Sequence, residues 1–262
     1  MTQAEPHYAV RLARTEGDLR AAQRLRYRVF VEELGGGGPL VDHANRLERD
    51  RFDPFFDHLL LLDEARAPQD RVVGVYRLLR ADQAARAGQF YSEDEYDLSV
   101  LKHSGRRLLE LGRSCLHAEY RGGMGMYHLW HALAAYVETH GIEVLFGVAS
   151  FHGTDAQALA APLSLLHQRH LAPDDLRVTA RPAGFAAMDL IPEDRLNRRS
   201  AMLAVPSLIK AYLRLGGFVG QGAFVDHAFN TTDVCLILDV ARMNASQRAI
   251  YTRPVEVRTV PT

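Results

Sequence analysis

The succession of apolar patterns along the 262 residues predicts a mixed α/β fold, one layer of sheet flanked by helices. Short apolar or alternating runs read as strands at 8–12, 58–62, 72–79, 108–116 and 144–150, with a late pair at 220–225 and 233–240. Helical spacing recurs between them, at 19–34, from Met126 to Val137, and at 207–215. No internal repeat interrupts this order, and the length suits one domain over residues 1–262.

Each element has a local reason. Thr15 and Asp18 are cap residues for the first helix, where Ala22, Arg26, Phe30 and Leu34, spaced four apart, share a face beside Leu25 and Val29. Gly35-Gly36-Gly37-Gly38 stops it. The segment 47–57, LERDRFDPFFD, mixes acids, bases and aromatics, and Pro54 blocks a long helix there. Residues 66–71 form a turn, and residues 80–105 an irregular excursion able to wall a cleft. Gly141 ends the central helix. Thr154 or Asp155 caps the next, which Pro162 interrupts before it resumes as LSLLHQRH. The charged, Pro-containing segment 172–200 reads as a surface insertion in the same domain, Pro206 opens the last helix, and the chain frays from Thr252.

Composition narrows the function. A net charge of -1 offers no bulk attraction to nucleic acid or anionic lipid, so a basic site must be local. The two cysteines, Cys115 and Cys235, each lie in an apolar run, which argues against a disulfide framework or a zinc knuckle and fits a reducing cytosol. No metal site is expected. The start, MTQAEPHYAV, lacks a secretory pattern, and no apolar run approaches the ~20 residues of a membrane span. The protein is therefore expected in the cytoplasm, or peripherally on the inner face of the membrane.

The stretch from Arg106 to Ala134 organises the rest: a strand, the basic loop Arg121-Gly122-Gly123-Met124-Gly125-Met126, and a helix bearing Met126, Leu129, Trp130, Leu133 and Val137. A glycine-bearing loop that opens a helix offers unpaired N–H groups and the positive end of the dipole to an anion, and Arg121 adds a charge. A tight turn without a ligand is the alternative.

Taken together, this pattern resembles the GNAT acyltransferase fold, a mixed central sheet whose fourth and fifth strands splay apart and whose Q/R-x-x-G-x-G/A loop cradles the pantetheine pyrophosphate. Met124 and Met126 stand where that signature has small residues, which fits a donor carried on a protein, with no nucleotide to hold. LRYRVFVEELG, ERDRFD, GVYRLL and LELGRSCL are similar in order and spacing to the acyl-homoserine-lactone synthases. With FYSEDEYDLSVL, ASFHGTD and LIKAYLRLGGFVGQGAFVDHAFNTTDVCLI, the chain is more similar still to the ornithine–acyl-carrier-protein N-acyltransferases, over roughly Tyr8 to Asp239. The resemblance implies transfer of a 3-hydroxyacyl chain from acyl carrier protein to the α-amine of L-ornithine, the first step of ornithine lipid synthesis, with no bound cofactor.

The implied roles follow from what attack of an amine on a thioester requires: loss of a proton, a held oxyanion and recognition of the acceptor. Glu110 is the candidate general base, or else an ion-pair partner of Arg113, Arg77 or Arg26. Asp50 and Asp53 are candidates for holding the amines of ornithine, or are solvated loop residues. Arg26 and Phe30 match the Arg-x-x-x-Phe of the synthases and would shape the cleft floor. Arg77 or Arg113 would take the acceptor carboxylate. Backbone N–H groups at Cys115, Leu116 and His117 are the expected oxyanion donors, beside the donor loop of Arg121, Gly122, Gly123 and Gly125. His117 is otherwise a proton shuttle or a loop residue, and Cys115 a nucleophile or, with more reason, a small buried residue. Asp226 and Asp233 would read the side-chain amine or cap turns at Asn230-Thr231-Thr232.

Phe90, Tyr91, Tyr96, Leu98, Leu101, Trp130, Phe146 and Phe151 are candidates to line an acyl channel, or ordinary core. The acidic carrier calls for a basic patch, for which Arg121, Lys210 and Arg214 are candidates; the helix bearing the last two either packs or lies on a membrane surface. Two rival readings remain open. One is the same chemistry on another acceptor, including a lactone-synthase-like enzyme, although glycines stand where those carry a Trp after the first helix. The other is a non-catalytic sensor of acyl carrier or lipid.

Overall fold

The structure, a computed structural model, describes residues 5–243; the expected tail from Thr252 lies outside them. The elements in chain order are β1 (Tyr8–Leu12), α1 (Glu16–Arg26), β2 (Asp57–Asp63), β3 (Val72–Arg80), α2 (Ala81–Ala87), β4 (Tyr96–Asp97), α3 (Ser99–Lys102), β5 (Leu108–Leu116), α4 (Gly125–His140), β6 (Val144–His152), α5 (Ala160–His170), β7 (Thr179–Ala180), β8 (Phe185–Ala186), α6 (Arg198–Ala204), α7 (Ser207–Arg214), β9 (Phe218–Val219), β10 (Ala223–Asp226) and β11 (Thr231–Asp239). They fall into two compact units, residues 5–79 with 111–141, and residues 80–110 with 142–243.

In the first unit, β1 and β2 run antiparallel from the pair Tyr8–Asp63 to Leu12–Leu59, β2 pairs antiparallel with β3, and β5 from Leu111 onward lies beside β3. The amide of His117 donates to Val73 O at 2.9 Å, carrying that pairing just past the end of β5. A capping box starts α1: Thr15 Oγ1 accepts from Asp18 N, and the Asp18 carboxylate accepts from Thr15 N. Ala22, Leu25 and Val29 then pack on Ala9, Leu60, Leu62, Val75 and Cys115. The spacing predicts one helix over 19–34. The chain is α-helical to Arg26 and continues as a π-helix, Tyr27–Glu33, until Gly35 at φ +71° ends it. Gly74 lets α4 approach the sheet, since a Cβ there would lie 2.7 Å from Leu116 and 3.1 Å from Leu129.

In the second unit, β6 and β11 pair antiparallel along nine residues each, and β11 continues to β10, which pairs with β8. The segment 172–200 is built into this unit: β8 extends its sheet, and Leu176, Val178, Ala180, Met188 and Leu196 are buried. The excursion 80–105, expected to be irregular, contains α2 and α3. Pro162 does not interrupt α5. It is the third residue of that helix, where its missing N–H costs no internal bond.

One pairing matters most for chemistry. β5 and β6 are parallel, and they pair only at Leu108–Val144, Leu109–Leu145 and Glu110–Phe146, although each strand is nine residues long. The ladder ends at Glu110. Just beyond, Arg113 has φ +48°, a left-handed conformation that few bulky residues adopt. These are the fourth and fifth strands in the sheet order, and the paired residues all lie within the second unit.

Candidate active site

The first unit holds a buried charge network. Arg26, from the last turn of α1, bonds Glu48 through Nε and Asp53 through Nη1 at 2.5 Å. Arg77 Nη1, from β3, reaches Asp50 at 2.7 Å and Asp53 at 2.8 Å. Arg113 Nε approaches Glu48 at 3.2 Å, and its Nη2 lies 3.8 Å from Asp50. Gln23 donates to Asp53 at 2.9 Å. Three cations and three carboxylates alternate, so each charge removed from water meets its opposite. Burial pushes the Asp53 and Glu48 carboxyls up, but Arg26 and Arg77 around Asp53, and Arg113 and Arg26 around Glu48, outweigh it and leave both at about 2.

Exposure divides this network. Arg26 and Arg77 are sealed, at 0%, while Arg113 and Asp50 keep 13% and 18% of their side chains open. Of the two guanidiniums expected to take a carboxylate, Arg113 is the one solvent reaches. Phe30 lies with its ring 5.8 Å from the Arg113 guanidinium. Sequence reasoning passed over Glu48, which stands two residues before Asp50 in the same LERDRFD run and shares Arg26 and Arg113.

In the second unit, Glu110 is 1% exposed. Its carboxylate accepts from Tyr91 N at 2.7 Å, from Ser92 N at 2.6 Å and from the Ser92 hydroxyl. These donors come from the 3-10 turn Tyr91–Asp94, so the carboxylate ties that turn to β5. They are two backbone amides and one hydroxyl. Ser92 was also missed in the sequence; a serine inside FYSEDEYD carries no signal until its partner is known.

Around the expected oxyanion position, the His117 amide is already bonded to Val73 O, which removes it as an open donor. Cys115 and Leu116, the other two backbone candidates, are the last residues of β5. The His117 ring is lowered in pKa by burial and Arg28, and its Nδ1 accepts from Glu119 N at 3.3 Å. Cys115 is buried, and burial pushes its thiol up to about 12, with Arg26 opposing, which suits core packing rather than a nucleophile.

The donor loop is built on the turn before α4. Gly122 has φ +76°, and a Cβ at Gly125 would lie 3.1 Å from Leu61, so both positions favour glycine. No side chain caps α4. Arg121 donates to Leu116 O at 3.1 Å and to Glu33, on the π-helix, at 2.5 Å.

Asp226 and Asp233 come together with Glu95: carboxylate oxygens of the three lie within 4.8 Å of one another. Asp226 also accepts from Ala228 N and Phe229 N, the turn-capping alternative. Phe90, Tyr96, Leu98, Leu101, Trp130, Phe146 and Phe151 are all buried, with Phe90 edge-on to Phe146 at 5.1 Å. Lys210 donates to Leu203 O at the end of α6, and Arg214 is exposed.

A family model described as an acetyltransferase (GNAT) domain matches residues 25–131. Among solved structures, the acyl-homoserine-lactone synthase LasI aligns over 97% of this chain and 100% of its own, with TM-score 0.50 and 16% identity. The CoA-dependent acyl-homoserine lactone synthase BjaI, with MTA, aligns over 94% and 88%, with TM-score 0.52 and 15% identity. At such identities the likeness is one of fold. The parallel pair β5–β6 and the glycine loop before α4 are thus parts of a GNAT-type acyltransferase fold. Within that class the chain belongs to the L-ornithine N(alpha)-acyltransferase family. The protein of that name from Rhodobacter capsulatus is 60% identical over 260 residues, 98% of this chain and 100% of its own. The one from Brucella abortus is 45% identical over 92% of this chain and 88% of its own.

Proposed function

We propose that this protein transfers a 3-hydroxyacyl chain from the phosphopantetheine of acyl carrier protein to the α-amine of L-ornithine, giving lyso-ornithine lipid. The observation that carries this reading is the 60% identity, end to end, with a protein named L-ornithine N(alpha)-acyltransferase.

The neutral amine attacks the thioester carbonyl, the oxyanion forms against the Cys115 and Leu116 amides, and the thiolate leaves on the carrier. Arg121 and the Gly122–Gly123–Gly125 loop hold the single phosphodiester of the donor. Arg113 receives the ornithine carboxylate. Asp50, at the open rim of the network, steers the ammonium, while Arg77 holds Asp50 and Glu48, itself bonded to Arg26, holds Arg113. Phe30 packs against Arg113. Glu95, Asp226 and Asp233 form the pole for the side-chain ammonium, and Asp233→Asn should weaken ornithine binding while sparing donor binding. Glu110 accepts the proton from the attacking amine.

A second role for Glu110 is favoured by the three hydrogen bonds its carboxylate accepts: an anchor that fixes the Tyr91–Asp94 turn. The α6–α7 segment, with Leu203 74% exposed and Arg198 and Arg199 exposed beside it, provides a peripheral membrane contact for releasing a lipid. The test of the whole reading is mass spectrometry of lipids from a host that makes no aminolipids. Expression should yield 3-hydroxyacyl-ornithine. An acylated glutamine, glycine or homoserine lactone instead would replace the acceptor, and no acylated amine would remove the enzyme reading.

A further inference from the structure

The charge at the donor loop is not the one its sequence suggests. Arg121 supplies the loop's cation, yet its Nη2 lies 2.5 Å from Glu33 Oε2. Neither partner is sealed: the side chains keep 45% and 29% of their surface. Glu33 is the last residue of the π-helix Tyr27–Glu33, the same short element that brings Phe30 to within 5.8 Å of Arg113. Arg66 is likewise paired, with Glu119 of the turn before the loop, at 3.3 Å. The mouth before α4 therefore carries an acid for each of these two cations, and the uncapped amides of α4 add a pull on an anion.

We infer that Glu33 sets the donor preference of this enzyme, disfavouring polyanionic CoA thioesters against a thioester borne on phosphopantetheine. This rests on the donor reading proposed above. A pantetheine arm on a carrier serine brings one phosphodiester charge to the loop. A CoA thioester brings a pyrophosphate and a 3′-phosphate on a flexible adenosine. A fixed carboxylate at the loop repels both, but the repulsion scales with ligand charge, so it falls mainly on CoA. Excess positive charge would erase that difference by welcoming either donor. Glu33 keeps Arg121 positioned, through the ion pair, and keeps its field small.

The experiment compares kcat/KM for matched 3-hydroxyacyl-CoA and 3-hydroxyacyl-carrier donors, with L-ornithine saturating, in the full-length wild type and in Glu33→Gln and Glu33→Asp. Glu33→Gln should raise the CoA-to-carrier ratio about tenfold, mainly through a lower KM for the CoA donor, and raising the salt should shrink the gain. Glu33→Asp keeps the charge and should keep the wild-type ratio. A ratio within twofold of wild type in a folded Glu33→Gln protein overturns the inference, as does an equal shift in Glu33→Asp. A wild type that prefers the CoA donor overturns the carrier reading itself, and the inference with it.

Discussion

Two roles are proposed for Glu110, a base for the amine and an anchor for a turn. If it takes the amine proton, Glu110→Gln should lower kcat about a hundredfold at neutral pH. Activity should then recover as the pH rises and the amine loses its proton unaided. If the carboxylate only anchors the Tyr91–Asp94 turn, the loss should persist at high pH and Ser92→Ala should reproduce much of it. A pH–rate profile of both variants separates the two roles. Cys115 is the control: with its thiol buried among Ala22, Leu60 and Val75 and shifted upward, Cys115→Ala should still turn over, with a cost of about 1 kcal/mol in stability. An inactive but folded Cys115→Ala would restore a covalent route. At this scale the sequence was informative for residues of one charge network: Arg26, Asp50, Asp53, Arg77 and Arg113 were each singled out, and they meet in space. It was silent on Glu48, Ser92, Glu33 and Glu95, because each takes its meaning from a partner 18 or more positions away or from a turn of unforeseen shape.

At the scale of elements, the network on α1, the 47–57 loop, β3 and β5 should behave as a unit. Glu48→Gln leaves Arg26 and Arg113 short of a buried counter-charge and is expected to cost roughly 3 kcal/mol, read by urea denaturation. A loss below about 1 kcal/mol would mean that water or a neighbouring acid satisfies those guanidiniums. Thr15→Ala, which removes only the capping box of α1, should cost about 1 kcal/mol. The strands were legible because short apolar or alternating runs of five to nine residues suit a half-buried or buried strand and are too short for a packed helix. The helix stops were legible because Gly35 and Gly141 adopt the left-handed turn. The π-helix was not legible: the apolar residues that extend α1 past Arg26 serve either winding, and the choice is made by what Phe30 and Glu33 meet in space. Pro162 misled for a related reason, since a proline reads as a break or as a first turn depending on where the helix begins.

For the whole molecule, buried charge makes stability a function of pH. Asp53 and Glu48 sit at about 2, below their unfolded values, so the stabilisation they confer is complete above about pH 5 and is lost as the pH falls toward 2. His58 acts earlier. Burial, with Arg26 nearby, lowers it from 6.5 to about 4 while its Nε2 meets Asp53 O at 3.0 Å. The unfolded chain thus takes up that proton first, and stability should fall between about pH 6.5 and pH 4, by on the order of 3 kcal/mol. Denaturation midpoints measured across this range should decline, and His58→Asn should flatten the upper part of the curve. A midpoint unchanged from pH 7 to about pH 4 would contradict the buried network. No helix among the described residues is long and apolar enough to cross a membrane.

The most direct measurement is free-thiol release from 3-hydroxyacyl-carrier protein by the purified enzyme, with and without L-ornithine and across a panel of amino acids. Thiol should appear only when an amine acceptor is present, with L-ornithine the preferred one and N-acyl-ornithine the product by mass. Thiol release that ignores the amine, or none with any amino acid, would contradict it.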